Sequence, residues 1–391
     1  MRKPVILAVV GTRPEVIKLA PVIGALRGWG DLTTRVCATA QHREMLDLML
    51  SNFKIRPDFD LDLMRKGQDL SGFSARALPL LQNVLRLARP DYVLVQGDTT
   101  TAFVTALAAF YARIPVGHVE AGLRTHDPAN PYPEEVNRVM ISRLSELHFV
   151  PTALARKNLI SEGIPARAIV QTGNTVVDAL RLGGERPHRC RAGALREAME
   201  SLGSGDRAVL VTTHRRENFG KPLESLCSAF QTLVERHPDL HLFYPVHMNP
   251  HVSDIVCRRL RHPRAHLLPA LDYPDLVYLL RRSHFVLTDS GGLQEEAPSL
   301  GKPVVILRDA TERPEAVHAG VAVLAGTKES SVVRVASRLL RDRAFYRSMA
   351  RGSGVYGDGR ASARIVASLR HRFGLLRRRP SEFKPFMEAS Q

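Results

Sequence analysis

The chain has 391 residues with an ordinary globular composition, 44% hydrophobic and 24% charged, and its length predicts two domains because one core seldom grows so large. Its four cysteines are widely scattered, which argues against a disulfide framework or a zinc site, and no apolar run approaches the length of a membrane span. The formal net charge of +16 favours anionic ligands, whereas nucleic acid is disfavoured because the arginines are spread along the chain and aromatic residues make up only 6%.

Short runs rich in β-branched residues alternate with longer helical patterns along the first half of the chain. The first run, PVILAVV, is short and leads directly into GTRPE, so it predicts a strand rather than a signal peptide. Helical patterns follow most of these runs, as in a parallel sheet. Buried parallel strands are predicted at 4–10, 34–40, 91–97, 114–120, 147–151 and 168–173.

The pattern restarts after a segment at 180–193 that is rich in Gly, Pro and Arg and has little apolar periodicity, which we interpret as a linker. A second series of strands is predicted at 208–214, 241–247, 265–271, 284–290, 303–309 and 321–326. Two successive series predict an α/β fold of two doubly wound, Rossmann-like domains, 1–180 and 181–360. Residues 361–391 begin with a helix that no strand follows, and we expect this helix to pack back on the first domain.

Polar residues at the carboxyl ends of predicted strands are the first candidates for a site, because open α/β sheets bind ligands there. The turn GTRPE, 11–15, has only one of the three glycines of a dinucleotide-binding turn, so a nicotinamide site is not expected. Arg13 at a helix N-terminus suits a phosphate or another anion, and a surface arginine would give the same pattern.

Two segments of the second domain suit a nucleotide diphosphate. In DSGGLQEE, 289–296, the glycines would let backbone N–H groups approach a phosphate, and Glu296 could bind ribose hydroxyls. The same pattern also fits a helix that is merely capped by Ser290. In THRREN, 213–218, the cationic cluster around His214 could hold a diphosphate leaving group, or it could be a solvated loop.

Three carboxylates stand in polar segments of the first domain: Asp98 in GDTTT, and Glu120 and Glu134 in the proline-rich segment 117–138. Carboxylates that converge on a cleft can divide acid and base work, because burial and mutual repulsion separate their pKa values. Each one alone also fits a helix cap or a surface charge. No Asp/His spacing supports a metal site.

Together these segments resemble the non-hydrolysing UDP-N-acetylglucosamine 2-epimerases, a family with the two-domain GT-B fold and an active site in the cleft between the domains. The resemblance implies reversible epimerisation of UDP-N-acetylglucosamine and UDP-N-acetylmannosamine at C2, by elimination of UDP to 2-acetamidoglucal and re-addition, with no metal or cofactor. It runs in order over roughly residues 5 to 375, through GTRPEVIK (11–18), QHREMLD (41–47), GDTTT (97–101), GHVEAGLRT (117–125), PEEVNR (133–138), TGNTVVDAL (172–180), HRRENFG (214–220), TDSGGLQEEAPSLGKPV (288–304) and ERPEAV (312–317).

The matching motifs indicate which residues of this chain correspond to the site residues of the family. The resemblance implies acid–base or leaving-group roles for Asp98, Glu120, Glu134 and His214. It implies substrate-binding positions at Arg13, Lys18, Arg138, Leu271, Leu276, Ser290, Gly291, Gly292, Glu296 and Arg313. An allosteric nucleotide-sugar site of some members is matched by Gln41, His42 and His247. The resemblance also implies a homodimer, and we expect the protein to be cytoplasmic.

Three departures from the family pattern bear on specificity and regulation. Leu276 stands where the uracil-side segment usually has Phe, so stacking area is lost there. The loop HDPANPY, 126–132, lacks the usual Trp on the sugar side. Glu44 and Gly67 replace a Gln and an Arg of the allosteric site, and a gained anion and a lost cation near a diphosphate weaken that site.

Three other functions stay open on these residues. A hydrolysing relative would release UDP and free N-acetylmannosamine by letting water reach C1. A GT-B glycosyltransferase would need an acceptor groove, and the matching segments argue against it. A non-catalytic nucleotide-sugar binding protein would not need Asp98, Glu120, Glu134 and His214, all of which are retained.

Overall fold

The structure, a computed structural model, describes residues 2–41, 43–65, 67–184, 190–246, 249–352 and 354–386. The chain divides into two compact units. The first unit comprises Met1–Leu182 and Tyr356–Pro385, and the second comprises Gly183–Val355 and Phe386–Gln391.

Strands and helices alternate through both units, and the numbering follows chain order. The strands are β1 (Val5–Val10), β2 (Thr33–Ala38), β3 (Phe59–Asp60), β4 (Tyr92–Gln96), β5 (Val116–Val119), β6 (Leu147–Val150), β7 (Ile169–Gln171), β8 (Arg207–Thr212), β9 (Leu240–Pro245), β10 (Ala265–Leu268), β11 (Phe285–Thr288), β12 (Val304–Ile306) and β13 (Ala322–Leu324). The helices are α1 (Arg13–Arg27), α2 (Arg43–Asn52), α3 (Leu70–Ala88), α4 (Thr100–Tyr111), α5 (Glu134–Leu144), α6 (Ala153–Ser161), α7 (Thr175–Gly184), α8 (Gly193–Glu200), α9 (Lys221–Arg236), α10 (Pro250–Arg259), α11 (Tyr273–Arg282), α12 (Gly291–Ser299), α13 (Pro314–His318), α14 (Glu329–Arg341), α15 (Arg343–Met349) and α16 (Ala361–Arg372).

Each unit is built on one parallel sheet. The first sheet has the strand order β3-β2-β1-β4-β5-β6-β7, and the second has the order β10-β9-β8-β11-β12-β13. The chain changes direction along the sheet between β1 and β4 in the first unit, and between β8 and β11 in the second. At such a switch point the connections diverge and leave a crevice outside the carboxyl ends of the strands, where ligands bind.

The central strands consist almost entirely of buried apolar residues, because helices cover both faces of each sheet. In β1 the side chains of 6–10 are at most 1% exposed, and in β4 those of 92–95 are fully buried. The edge strand β3 was not predicted, because two residues are too few to carry a periodic pattern.

The last helix packs on α1 within the first unit. Asp178 in α7 accepts backbone hydrogen bonds from Ala361 and Ser362 at 3.1 and 2.8 Å, which satisfies free N–H groups at the start of α16. At the other end of the helix, Arg370 pairs with Asp31 at 2.7 Å. These two contacts fix both ends of α16.

All four cysteines are free. None of the helices that the structure describes is long and apolar enough to cross a membrane. Within the same residues, no three His, Cys, Asp or Glu side chains form a group that could hold a metal ion.

Candidate active site

Glu120, at the carboxyl end of β5, is the centre of a buried polar cluster in the first unit. Its side chain is hydrogen-bonded to the Lys18 ammonium and to the Gln96 amide, and Asn174 Nδ2 donates to Oε1 at 3.1 Å. Its backbone has a φ of +64°, a left-handed conformation that costs roughly 1–3 kcal/mol for a residue other than glycine. Since Glu120 is only 8% exposed, its charge requires these donors. The fold therefore holds this carboxylate in one position at the carboxyl end of the sheet.

Asp98 follows β4 and forms an ion pair rather than a helix cap. The guanidinium of Arg138 donates to Asp98 Oδ2 from Nη2 at 2.6 Å and from Nε at 3.2 Å, and to Glu135 Oε2 at 2.8 Å. Thr99, not Asp98, caps α4 through its hydroxyl. The side chain of Asp98 remains 28% exposed, while that of Arg138 is buried between the two carboxylates.

Glu135 anchors the segment that leads from β5 to α5. Its Oε1 accepts the backbone N–H groups of Thr125 and His126 at 3.1 and 3.0 Å, and the residue is 3% exposed. The adjacent Glu134 is half-buried and is the first residue of α5, where the positive end of the helix dipole stabilises an anion. The segment therefore places Glu134 at the same edge of the sheet as Asp98 and Glu120.

Another buried carboxylate, Glu15 of the GTRPE turn, joins the two sides of the switch point. It accepts hydrogen bonds from the backbone N–H groups of Gly11 and Thr12, and from the hydroxyl of Thr99 in the turn after β4 at 2.7 Å. Burial raises the pKa of Glu15 to about 7, although the hydrogen bonds that it accepts act in the opposite direction. Arg13 begins α1 beside this turn and is half-buried.

His118 supports the turn that carries Asp98. Its Nε2 lies 2.7 Å from the carbonyl oxygen of Gly97. Burial lowers the pKa of His118 to about 3, so the imidazole is neutral and donates an N–H to that carbonyl. Gly97 has a φ of +70°, which glycine adopts without strain.

In the second unit, Asp289 at the end of β11 organises the loop after β8. This fully buried carboxylate accepts the backbone N–H of His214 at 3.0 Å, that of Arg215 at 3.0 Å and the amide of Asn218 at 2.9 Å. The Nδ1 atom of His214 lies 3.3 Å from Asp289 Oδ1, and the imidazole is 39% exposed. Asp289 thus orients His214 as a carboxylate orients the histidine of an acid–base pair.

The turn from β11 into α12 has small residues and no side-chain capping bond at the helix N-terminus. Ser290 occupies the N-cap position but makes no side-chain capping bond. A Cβ atom at Gly291 would lie 2.5 Å from Nη1 of Arg313, so a larger residue there would force this guanidinium to shift from the helix start. A Cβ at Gly292 would meet only the Ser290 hydroxyl, at 3.9 Å. The turn therefore offers small residues and helical N–H groups to an anion.

Buried carboxylates hold Arg313 in this position. Its Nε donates to Glu295 at 2.7 Å and its Nη1 donates to Glu312 at 2.6 Å. Burial opposes ionisation of Glu312, but Arg313, Arg308 and Arg215 outweigh it and hold the pKa of this carboxyl well below its usual range. Glu312 is therefore ionised at neutral pH.

The remaining candidates of the second unit lie along α11 and α12. The hydroxyl of Tyr273 donates to Glu296 Oε1 at 3.3 Å, and both residues are buried. Leu271 is buried ahead of α11, and Leu276 is half-buried within it.

Of the candidate allosteric residues, only Gln41 lies within the described part of the chain. Its Oε1 accepts from the Thr101 hydroxyl at 2.9 Å. His42 and His247 lie outside the described residues, as does the side chain of Glu44. Gly67 has a φ of +69° and open space around its Cα.

Comparisons with known proteins decide the family. The family model described as UDP-N-acetylglucosamine 2-epimerase matches residues 25–370. The chain belongs to this family. A Bacillus subtilis UDP-N-acetylglucosamine 2-epimerase is 45% identical over 98% of this chain and 99% of its own.

Two solved structures have the same fold as this chain. The UDP-GlcNAc 2-epimerase of Neisseria meningitidis, solved with UDP-GlcNAc bound, matches with a TM-score of 0.87 and 44% identity, covering 93% of this chain and 99% of that one. An S. aureus protein solved with UDP matches with a TM-score of 0.89 and 42% identity, covering 97% and 100%. These matches confirm the resemblance to the epimerase family and the predicted GT-B-like α/β fold class.

Sequence analysis of this epimerase did not identify the residues that hold the candidate site residues in place. Gln96 and Asn174 contact Glu120, Glu135 anchors Arg138, and Asp289 orients His214. The role of Glu15 could have been predicted from the sequence, because Thr12 and Glu15 have the spacing of a capping box. No sequence pattern beyond a position at a strand end indicates the roles of Gln96, Asn174 and Asp289.

Proposed function

We propose that this protein interconverts UDP-N-acetylglucosamine and UDP-N-acetylmannosamine. The observation that carries the proposal is the buried Glu120 carboxylate, held by Lys18, Gln96 and Asn174 in a chain of the UDP-N-acetylglucosamine 2-epimerase family. The C2 proton of the sugar is not acidic, because no carbonyl group is adjacent within the ring. Elimination of UDP solves this problem and needs no redox cofactor.

In the forward half-reaction the bond between C1 and the diphosphate oxygen breaks, and its electron pair leaves with UDP. The oxocarbenium character at C1 acidifies C2–H, a carboxylate takes the proton, and the C1–C2 double bond of 2-acetamidoglucal forms. In the return half-reaction a second group protonates C2 on the opposite face, and UDP adds back to C1. Two faces require two proton-transfer groups, which is the reason for several carboxylates.

We assign these proton transfers to Glu120, Asp98 and Glu134. An ionised carboxylate accepts hydrogen bonds from an ammonium and two amides, so the partners of Glu120 suit a proton acceptor. Arg138 holds Asp98 in position, and the start of α5 supports the charge of Glu134. Arg13 and Lys18 would bind the substrate on this side.

We assign the nucleotide to the second unit. Ser290, Gly291 and Gly292 would bind the diphosphate at the start of α12, and His214 would assist its departure. The remaining contacts would come from Arg313 with the diphosphate, Glu296 with the ribose, and Leu271 and Leu276 with the uracil. Arg138 would act through Asp98 and Glu135 rather than as a free cation.

We further propose that the protein is a cytoplasmic homodimer. Apolar side chains are exposed on neighbouring helices of the first unit: Leu80 and Leu87 on α3, Phe110 and Tyr111 on α4, and Val136 and Met140 on α5. Such a patch suits a second copy of the chain. Sedimentation velocity of the wild type and of Phe110→Lys/Met140→Lys tests this, since the dimer should be lost only in the variant.

Incubation with UDP-N-acetylglucosamine in heavy water, followed by NMR, tests the reaction. We expect deuterium at C2, both epimers at equilibrium and UDP still attached. Glu120→Gln should abolish the exchange. Free N-acetylmannosamine would indicate the hydrolysing reaction, and an unchanged sugar nucleotide would contradict an enzymatic function.

A further inference from the structure

The turn that joins β7 to α7 supplies a hydrogen-bond donor to Glu120. We use the name QTGN turn for residues 171–174, which begin with the last residue of β7 at the carboxyl edge of the first sheet. Within this turn, Asn174 Nδ2 donates to Glu120 Oε1 at 3.1 Å. The position of the turn therefore bears directly on the position of the Glu120 carboxylate.

A backbone hydrogen bond fixes which end of the Asn174 amide faces Glu120. The N–H of Val176, in the first turn of α7, donates to Asn174 Oδ1 at 3.0 Å. Because an amide group has its acceptor oxygen and its donor nitrogen on opposite sides, this bond turns Nδ2 towards the carboxylate. Asn174 is 1% exposed, so both bonds are shielded from water. The orientation of the amide therefore depends on the backbone of the QTGN turn.

The segment that enters α16 packs against the Asn174 end of this turn. The backbone N–H of Asn174 donates to the Tyr356 carbonyl oxygen at 2.6 Å. A Cβ atom at Gly357 would lie 3.3 Å from the Asn174 carbonyl oxygen and 3.4 Å from its backbone nitrogen, so the two backbones are in close contact. This contact sets where the Cα atom of Asn174 lies, and with it the origin of the side chain that reaches Glu120.

The segment after α16 closes on the other end of the QTGN turn. The backbone N–H of Phe383 donates to the Gln171 carbonyl oxygen at 2.7 Å. The Phe383 side chain is buried, although Glu382 and Lys384 on either side are exposed. A Cβ atom at Gly173 would lie 3.4 Å from Cγ of Phe383, so the ring rests against this glycine. A buried ring thus anchors an exposed stretch of the chain on the turn.

Arg364 of α16 connects the turn with Phe383. Its Nη1 donates to the Thr172 carbonyl oxygen at 3.1 Å, and its guanidinium carbon lies 5.6 Å from the centroid of the Phe383 ring. Asp358 accepts from both terminal nitrogens of Arg364 at 2.7 Å, which fixes the plane of the guanidinium group. The Phe383 ring and the Arg364 guanidinium therefore support the QTGN turn together.

We propose that Phe383 is a positioning residue for the epimerase reaction, and that it acts on Glu120 through the QTGN turn and Asn174. The proposal rests on the proposed function, in which Glu120 takes part in proton transfer at C2. Without the ring, the turn can move and Asn174 can leave the carboxylate, which then keeps Lys18 and Gln96 but loses a donor on Oε1. A displacement of a reacting group by about 1 Å can cost roughly a hundredfold in rate.

A role in stability alone would give a different result from a role in positioning. If Phe383 only stabilised the fold, each folded molecule would keep normal turnover, so kcat divided by the folded fraction from urea unfolding would not change. A positioning role lowers this corrected kcat. The KM for UDP-N-acetylglucosamine should change little, because we assign the nucleotide to the second unit and Phe383 belongs to the first.

A double-mutant cycle tests the path through Asn174. Asn174→Ala removes a hydrogen bond to a charged group, which we expect to lower the corrected kcat roughly tenfold to a hundredfold. Phe383→Ala should lower it about tenfold, and Phe383→Leu, which keeps an apolar side chain in the same place, should restore most of the loss. The variant that carries both Asn174→Ala and Phe383→Ala should be no slower than Asn174→Ala alone. Lys384→Ala, at the exposed neighbour, is the matched control and should behave as wild type.

Amide hydrogen exchange tests the contact between Phe383 and the turn without any substrate. Phe383→Ala should speed exchange in a peptide that covers residues 171–180, because the backbone hydrogen bonds of the turn open more often when the ring is lost. Lys384→Ala should leave this peptide unchanged. Helix α9, in the second unit, should exchange as in the wild type in both variants.

The possible failures can be told apart. An equal corrected kcat in the wild type and Phe383→Ala would overturn the proposal, and so would a double variant that is slower by the product of the two single effects. Unchanged exchange at 171–180 in Phe383→Ala would overturn it as well. A wild type that leaves C2 unlabelled in heavy water would contradict the proposed function, and the exchange measurement would still decide whether Phe383 holds the turn.

Discussion

Glu120 in the first unit and Asp289 in the second are both buried carboxylates at strand ends, and they have opposite roles. In the first unit, a carboxylate is the group that neighbouring side chains support, because Lys18, Gln96 and Asn174 all donate to Glu120. In the second unit, buried carboxylates instead hold other side chains in position. Fully buried Asp289 orients His214, and a pair of glutamates holds Arg313.

Both sheets share the same parallel architecture, so this difference arises from the strand-end residues and not from topology. A doubly wound sheet supplies an edge where side chains meet, and the side chains decide which chemistry that edge performs. An acid supported by donors suits proton transfer. Cations and helical N–H groups supported by acids suit a diphosphate. Variants at the supporting and the supported positions should therefore have different effects in the two units.

The largest effect is expected at Glu120. The Glu120→Gln variant keeps the size of the side chain but cannot take a proton, and general acid–base groups are typically worth about 10² to 10⁴ in rate. Turnover and deuterium exchange at C2 should fall together. Glu200→Gln, an exposed residue of α8, is the matched control and should behave as wild type.

The same measurement applied to Asp98→Asn and Glu134→Gln ranks the other two carboxylates. A variant of either residue that retains full turnover would remove that residue from the mechanism. Retained turnover in Glu120→Gln would contradict the hypothesis that the first unit supplies the acid–base groups.

The next effect is expected at Asp289, where the acid supports another residue. Asp289→Asn turns an amide donor towards the backbone N–H groups of His214 and Arg215, so unfavourable contacts replace hydrogen bonds. We expect a loss of about 1–3 kcal/mol in the free energy of unfolding. A misplaced His214 should lower turnover about a hundredfold.

The paired loss of stability and turnover distinguishes a supporting acid from a reacting one. Urea unfolding and steady-state kinetics would be measured on the same preparation. Asp254→Asn, exposed on α10 of the second unit, is the control and should change neither quantity. A loss of turnover without a loss of stability would mean that Asp289 acts on the substrate directly.

The sequence predicts the order of strands and helices more completely than it predicts the contacts of the site residues. Runs such as PVILAVV and DYVLVQG are apolar because both faces of their strands are covered, and this pattern is visible without coordinates. The strand β3 was missed because Phe59 and Asp60 are too few to show a period. The resemblance to a family identified candidate site residues, but the sequence did not predict which side chains form hydrogen bonds or ion pairs with them. Arg138 illustrates this, because its contacts depend on Asp98, 40 positions away in the chain.

A third prediction compares the pH response of the two units. The folded-state pKa of Glu15 is raised from 4.5 to about 7, so its contribution to stability is complete below about pH 4.5 and is lost as the pH rises through 7. The change is at most roughly 3 kcal/mol. Glu312 responds oppositely, because its pKa is lowered, and its contribution is present above about pH 4.5 and lost as the pH falls.

Urea unfolding at about pH 5 and about pH 8 would test this, since most of the Glu15 window, from about pH 4.5 to about pH 7, lies between those values. Glu15→Gln should remove the decline towards alkaline pH, and Glu312→Gln should leave that decline in place. An identical pH profile for wild type and Glu15→Gln would show that Glu15 does not titrate in this range.

The smallest effect on turnover concerns regulation by a second nucleotide-sugar molecule. The family resemblance implies that Glu44 and Gly67 stand where regulated members carry Gln and Arg, so we expect a gained anion and a lost cation at the allosteric site. A carboxylate about 4 Å from a phosphate costs roughly 1 kcal/mol in water, and a lost arginine contact adds roughly 1.5 to 3 kcal/mol. We therefore expect the two changes together to weaken that site about a hundredfold. The reaction from UDP-N-acetylmannosamine alone should therefore start without a lag.

The reverse substitution sharpens this prediction. Glu44→Gln with Gly67→Arg should introduce a lag that added UDP-N-acetylglucosamine abolishes. An arginine at 67 has free space but must adopt a φ of +69°, which costs roughly 1–2 kcal/mol and makes the gain partial. Lysine at 67 serves as the control, because it restores a charge without the planar fork that matches a diphosphate. A lag already present in the wild type would mean that Gln41, with His42 and His247, forms the site without these two residues.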